Sequence, residues 1–224
     1  MMMDSPTVIN ILKARKTNGL FNSIITGERG VGKTSYSLQT LYLVFRKLGY
    51  DKEEAWQMSL DRCLYTIPDI VDFLEQSNKK KHKDCFIWDD AGVFAGGVRW
   101  YTHYKEMVLL ESVSDVLRNM VYGLLLTVPD IRTLTRRLRS YDDYIIKIYY
   151  PKPKSKGEKF DPNLRHARVY KKGMSPIGQV NLSKKYYDSF NIMLPDWVYK
   201  KYQAKRNKYG LNDLKQLKKL SKID

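Results

Sequence analysis

The chain has 224 residues, 43% of them apolar, enough for one α/β core with an appendage and too few for two full enzymatic domains. Its net charge of +16 is unevenly placed, with 21 Lys and Arg against 18 Asp and Glu up to residue 150 and 19 against 6 after it. That asymmetry points to a polyanionic partner, most simply nucleic acid, although a Lys-rich solvated surface accounts for charge of this kind as well. The longest apolar run, 120–128, falls far short of the roughly 20 residues a membrane helix needs. The amino terminus lacks the basic start and apolar core of a signal peptide, so a cytoplasmic location is expected. Cys63 and Cys85 stand apart, as buried thiols rather than a disulfide or metal pair.

In chain order, a short helix is expected from about Val8 to Lys16, then an apolar strand from Leu20 to Ile25. Gly27-Glu28-Arg29-Gly30-Val31-Gly32-Lys33-Thr34 follows and matches the phosphate-loop pattern G-x-x-x-x-G-K-[ST] in its strand-loop-helix setting. The glycines let the backbone turn tightly and aim N–H groups at anionic phosphates, together with the amino end of the next helix. Residues Gly27 through Ser35 are therefore candidates for binding ATP, with Lys33 reaching the β and γ phosphates and Thr34 offering its hydroxyl to Mg²⁺. The helix carries Tyr36, Leu41, Val44, Phe45 and Leu48 and stops at Gly49.

Asp51 and Glu54 stand in capping-box relation at the start of another helix. A short strand near Leu64 and a helix from Pro68 to about Glu75 precede Cys85-Phe86-Ile87-Trp88-Asp89-Asp90. This is a buried strand ending in two acids, which delivers Asp89 to the Mg²⁺ shell and Asp90 to the attacking water as base or positioner. The Gly-rich loop from Ala91 to Val98 and the segment Arg99 to Lys105 are equally compatible with gripping a substrate and with plain packing. His82, His103 and His166 read as incidental.

Met120 to Thr127 is expected as a central buried strand whose terminal hydroxyl lies near the γ phosphate. Pro129-Asp130 then caps a helix with Ile131, Leu134 and Leu138 on its apolar stripe and Arg132, Arg136, Arg137 and Arg139 around it. Arg137 or Arg139 is a candidate trans-acting finger, the alternatives being contact with DNA phosphates or with water. Tyr144 to Tyr150 is the following strand. Beyond it come a basic linker, a return strand at Ala167 to Tyr170, a helix from Leu194 to about Tyr209, a break at Gly210 and a last helix from Asn212. That basic helix-turn-helix could dock on DNA or form a lid.

The succession of phosphate loop, strand ending in Asp89-Asp90, strand ending in Thr127 and arginine cluster resembles the additional-strand P-loop ATPases. These include the AAA+ replication proteins, the FtsK/HerA translocases and the zonula occludens toxin-like phage proteins, and the chain is similar in look to ATPases of archaeal viruses and plasmids. The resemblance covers about residues 20 to 150. It implies an α/β P-loop NTPase with a central parallel sheet, the Thr127 strand lying between the two signature strands, and homo-oligomeric assembly, usually as a ring. Residues 1–150 are then the ATPase core and 151–224 a small basic extension of hairpin and helices. Two departures stand out: the acid after the Mg²⁺ ligand is Asp90 where Glu is usual, and the sensor position holds Thr127 where Asn or Gln is frequent. A Mg²⁺-dependent ATPase acting on DNA is the expectation. An ATP-switched DNA-binding protein and a small-molecule or nucleotide kinase are its rivals.

Overall fold

The computed structural model describes residues 5–79, 83–94, 117, 119–135, 138, 144–151, 161–174 and 180–220. Seven strands form one sheet in the order β2-β3-β4-β1-β5-β6-β7. They are β1 (Phe21–Thr26), β2 (Cys63–Leu64), β3 (Asp84–Trp88), β4 (Val121–Val128), β5 (Tyr144–Tyr149), β6 (Leu164–Met174) and β7 (Val180–Asn191). The first five are mutually parallel. β3 and β4 are buried along their whole length, as strands covered on both faces must be, which is why they read as unbroken apolar runs.

The helices are α1 (Pro6–Lys16), α2 (Lys33–Lys47), α3 (Lys52–Asp61), α4 (Ile67–Lys79), the single turn α5 (Ala91–Phe94) and α6 (Asp196–Leu220). α2 buries Tyr36, Leu38, Leu41, Val44 and Phe45, while Ser37 and Thr40, also buried, donate their hydroxyls to the carbonyls of Lys33 and Tyr36 one turn back. The capping box forms as expected: Glu54 N–H donates to Asp51 Oδ1 at 2.8 Å and Asp51 N–H to Glu54 Oε2 at 3.2 Å. Tyr42 of α2 stacks on Trp56 of α3 with ring centroids 4.2 Å apart. Cys63 and Cys85 are buried thiols. No helix among the described residues is long and apolar enough to cross a membrane.

Three elements differ from expectation. The start of the helix expected after Pro129-Asp130 is a short 3₁₀ turn, Ile131–Thr133, with Leu134 in a bridge after it; Leu138 is helical, and its neighbours 136, 137, 139 and 140 lie outside the described residues. Asp130 does cap it, accepting from Arg132 N–H, but Thr133 donates its hydroxyl to the Asp130 carbonyl and the turn tightens there. The return strand at Ala167 to Tyr170 is the middle of a long antiparallel pair, β6–β7, which joins the central sheet through β5. The parallel core thus carries an antiparallel edge, and the sheet runs through the division expected after residue 150. By compactness the chain divides instead into Met1–Met193 and Leu194–Asp224.

The second unit holds α6, which runs unbroken through Gly210 where a break and a new helix were expected. An interior Gly costs a helix only about 1 kcal/mol relative to Ala, and no Pro stands near it to stop the chain. Within α6 the Lys201 ammonium lies 5.1 Å from the Trp197 ring centroid, one turn away.

Candidate nucleotide site

The site lies at the carboxyl ends of β1, β3 and β4, and strand register assembles it. β1 pairs in parallel with β4, placing Ile25 opposite Thr127. β3 pairs with the other side of β4, placing Trp88 opposite Leu126, so the next residues, Asp89 and Thr127, emerge side by side. The strand bearing Thr127 therefore lies between the phosphate-loop strand and the acid-bearing strand. This is the strand order that the resemblance to the additional-strand P-loop ATPases implies.

The P-loop occupies the turn from β1 into α2. Two of its glycines are required by the backbone and by close neighbours. Gly27, at φ +150°, would press a Cβ to 2.5 Å from the Ile148 carbonyl oxygen of β5. Gly32, at φ +99°, would press one to 2.7 Å from Ile192 Cγ2, just past β7. The two therefore let the loop lie close against β5 and the end of β7. Glu28, Arg29 and Gly30 form its exposed crest, Val31 is buried at its foot, and Ser35 is half-buried in the first turn of α2. Glu28, Arg29 and Val31 thus fit a phosphate through backbone N–H groups rather than through their side chains.

Lys33 is buried, and its ammonium donates to the carbonyls of Gly27 at 3.0 Å and Glu28 at 2.8 Å. The cation is thus already held across the loop, beside the amino end of α2, where a phosphate oxygen would meet it. Thr34 donates its hydroxyl to Asp89 Oδ1 at 2.8 Å. A hydroxyl and a carboxylate joined in this way beside a phosphate loop are a hard-oxygen pair suited to Mg²⁺, which takes few protein ligands and completes its octahedron with water and phosphate.

Thr127 has a place the sequence did not foresee. Its side chain is fully buried and its hydroxyl donates to the same Asp89 oxygen at 2.6 Å while accepting from Asp90 N–H at 2.9 Å. The hydroxyl expected near the γ phosphate is engaged in holding the two acids. Asp90, half-buried, sits at φ +50°, a left-handed conformation that Asp tolerates better than most residues. The Thr127 bond fixes that bend and turns the chain out of β3. Arg136, Arg137 and Arg139 and the segment 95–116 lie outside the described residues, as does His82.

Sequence reasoning missed a buried polar cluster behind the P-loop helix. Asp188 Oδ2 on β7 accepts from Tyr36 Oη of α2 at 2.8 Å, from Ser5 Oγ at 2.8 Å and from Thr7 Oγ1 at 3.2 Å. Ser5 is the N-cap of α1, so the carboxylate also faces the positive end of that helix. Burial, and then the Asp188 charge, push the Tyr36 phenol well above its ordinary pKa. Phe190 packs on Tyr36 with ring centroids 5.1 Å apart, and Gln39 donates to the Asn191 carbonyl at 2.6 Å. The edge strand β7 is thereby fastened along the helix that begins at Lys33. Tyr36 and Asp188 are 152 positions apart, and no local spacing announces such a pair.

No family model matches the chain. In sequence it is similar to protein B-251 of Sulfolobus spindle-shape virus 1, at 28% identity over 214 residues that span 92% of this chain and 82% of that one. Among solved structures this P-loop NTPase fold is similar to the genome packaging NTPase B204 from Sulfolobus turreted icosahedral virus 2, at 14% identity and TM-score 0.39, covering 75% of this chain and 98% of that one. It is also similar to EssC (ATPases 2 and 3) from Geobacillus thermodenitrificans, at 12% identity and TM-score 0.38, covering 89% of this chain and 44% of that one.

Proposed function

We propose that the protein is a Mg²⁺-dependent ATPase that acts on DNA as a homo-oligomer, in replication initiation, helicase loading or genome translocation. The observation that carries this is the Thr34–Asp89 contact of 2.8 Å beside the loop that holds Lys33. In the proposed mechanism the loop N–H groups and Lys33 bind the β and γ phosphates and orient the terminal phosphoryl group. Thr34 and Asp89 would hold Mg²⁺, whose charge would offset that developing on the phosphate oxygens. Asp90 takes the proton of the attacking water or orients that water, and Thr127 positions both acids. Arg137 or Arg139 would reach the nucleotide of a neighbouring subunit in a ring. The basic excess after residue 150 is what favours DNA over a small-molecule acceptor.

A second reading, ATP as a switch for DNA binding with little turnover, is favoured by Asp90, one methylene shorter than the Glu usual at this position. Measuring ATP hydrolysis with and without single- and double-stranded DNA across a salt series separates the two. Stimulation by DNA that fades with salt and disappears in Lys33→Ala and Asp90→Asn supports the DNA-dependent ATPase. ATP binding without turnover on any DNA leaves the switch, and phosphoryl transfer to a small acceptor leaves the kinase.

A further inference from the structure

The three strands β5, β6 and β7 have two unlike faces. One carries Ile146, Ile148, Ala167, Val169, Asp188 and Phe190, all buried, with Asp188 and Phe190 meeting Tyr36 of α2. The alternation of strands sends Lys147, Tyr149, His166, Arg168, Tyr170 and Tyr187 to the other face. There the rings of Tyr149, His166 and Tyr187 run diagonally across the three strands, with centroids 5.7 and 5.2 Å apart. The Arg168 guanidinium lies 5.2 Å from the Tyr149 centroid, Lys147 is exposed, and Tyr187 exposes 49% of its surface. Asp188, the one acid in the three strands, points the opposite way.

We propose that this face binds single-stranded DNA, its bases stacking on Tyr187 and the rings beside it and its phosphates meeting Lys147, Arg168 and Lys184, which is exposed on β7 opposite Tyr170. A sheet face that combines exposed aromatic rings with cations and no carboxylate matches the two chemistries of a single strand, π faces and a charged backbone. A duplex hides its base faces and gains only the charge. Self-contained stacking among the three rings would strengthen the sheet, but it does not call for Tyr187 to be half exposed at the edge strand, nor for the exclusion of acids. The position also matters for coupling: Asp188 and Phe190, which alternate with Tyr187 along β7, are fastened to α2 on the reverse face, so strand binding and the P-loop helix share one strand. The proposal rests on the DNA part of the function above and names the surface that performs it.

The test is fluorescence anisotropy of a labelled oligo-dT and of a duplex of equal length, without nucleotide, across a salt series. Wild type is compared with Tyr187→Ala, Tyr187→Phe and Lys147→Glu, and with the α6 pair Lys205→Glu/Lys208→Glu; circular dichroism melts check folding. The expected result is a loss of oligo-dT affinity of about 5- to 100-fold in Tyr187→Ala with an unchanged salt slope, and recovery in Tyr187→Phe. Lys147→Glu should lower the slope by about 0.7 or more. Wild-type affinity in Tyr187→Ala and Lys147→Glu, with loss in the α6 pair, overturns the proposal, as does duplex binding equal to that of the single strand. A changed sedimentation coefficient in Tyr187→Ala with intact DNA binding makes the face a subunit contact and also overturns it. Absence of any DNA binding removes the DNA part of the function as well, whereas ATP hydrolysis without DNA, unaffected by Tyr187→Ala, reports separately on the nucleotide site.

Discussion

Asp89 is a fully buried carboxylate whose Oδ1 receives two hydroxyl protons, from Thr34 at 2.8 Å and from Thr127 at 2.6 Å. Thr34 belongs to the phosphate-loop pattern and was legible at once. Thr127 stands out in sequence by its place at a strand end, but its partner is not legible there, because β3–β4 register decides whether the hydroxyl meets an acid or a phosphate. Thr127→Val keeps the shape and removes the hydroxyl, leaving Asp90 N–H without its acceptor at a cost of about 1–3 kcal/mol in stability. As a positioning residue it should also move the Mg²⁺ dependence of hydrolysis to roughly 10–100-fold higher metal, with recovery in Thr127→Ser. An unchanged Mg²⁺ titration in Thr127→Val would contradict the role. Tyr36 gives a second prediction. Folding raises its pKa, chiefly through burial, and burial likewise pushes Tyr186 up to about 12. The unfolded chain ionises these phenols near pH 10 while the folded one keeps them neutral. Their stabilisation is therefore complete below about pH 10 and is lost as pH rises toward the folded values. Melting temperature should fall steeply above pH 10 and less steeply in Tyr36→Phe; parallel curves would show that the Tyr36 phenol does not ionise on unfolding in this range.

Among elements, those with a local signature were legible. The capping box at Asp51, the amino start of α2 and the unbroken apolar runs of β3 and β4 each follow from neighbours in sequence. Elements decided by distant partners were not. The β6–β7 hairpin alternates buried and exposed residues as an edge should, yet nothing within it states that it pairs with β5 rather than folding apart. The buried carboxylate Asp188 belongs to the same class, since its three hydroxyl partners lie on α1, at its N-cap and on α2. α6 shows the reverse error, a local signal given too much weight: Gly210 lowers helix propensity without ending the helix. Gly210→Ala should accordingly raise far-UV helicity or leave it unchanged and stabilise α6 by up to about 1 kcal/mol, whereas Gly210→Pro should reduce helicity. A loss of helicity in Gly210→Ala would show that the chain turns there.

Across the molecule, the order of the sheet is what joins sequence to chemistry. β4 between β1 and β3 brings Thr127 and Asp89 together behind Lys33 and Thr34, four residues from two strand ends and a helix start. β5 and β7 then press on the loop from the other side, through the Ile148 carbonyl at Gly27 and Ile192 at Gly32. One edge of the sheet thus carries the basic, aromatic face while its middle carries the candidate nucleotide site, and α2 runs from the phosphate loop along the reverse side of that edge. The Thr34–Asp89 pair beside the loop is proposed as the metal half of a triphosphate site. Calorimetric titration of ATPγS with Mg²⁺ and with EDTA, on wild type, Lys33→Ala and Asp89→Asn, tests it most directly. Wild type should bind ATPγS more tightly with Mg²⁺, Asp89→Asn should gain nothing from Mg²⁺, and Lys33→Ala should lose binding. No binding by wild type, or a Mg²⁺ effect that survives in Asp89→Asn, would contradict it.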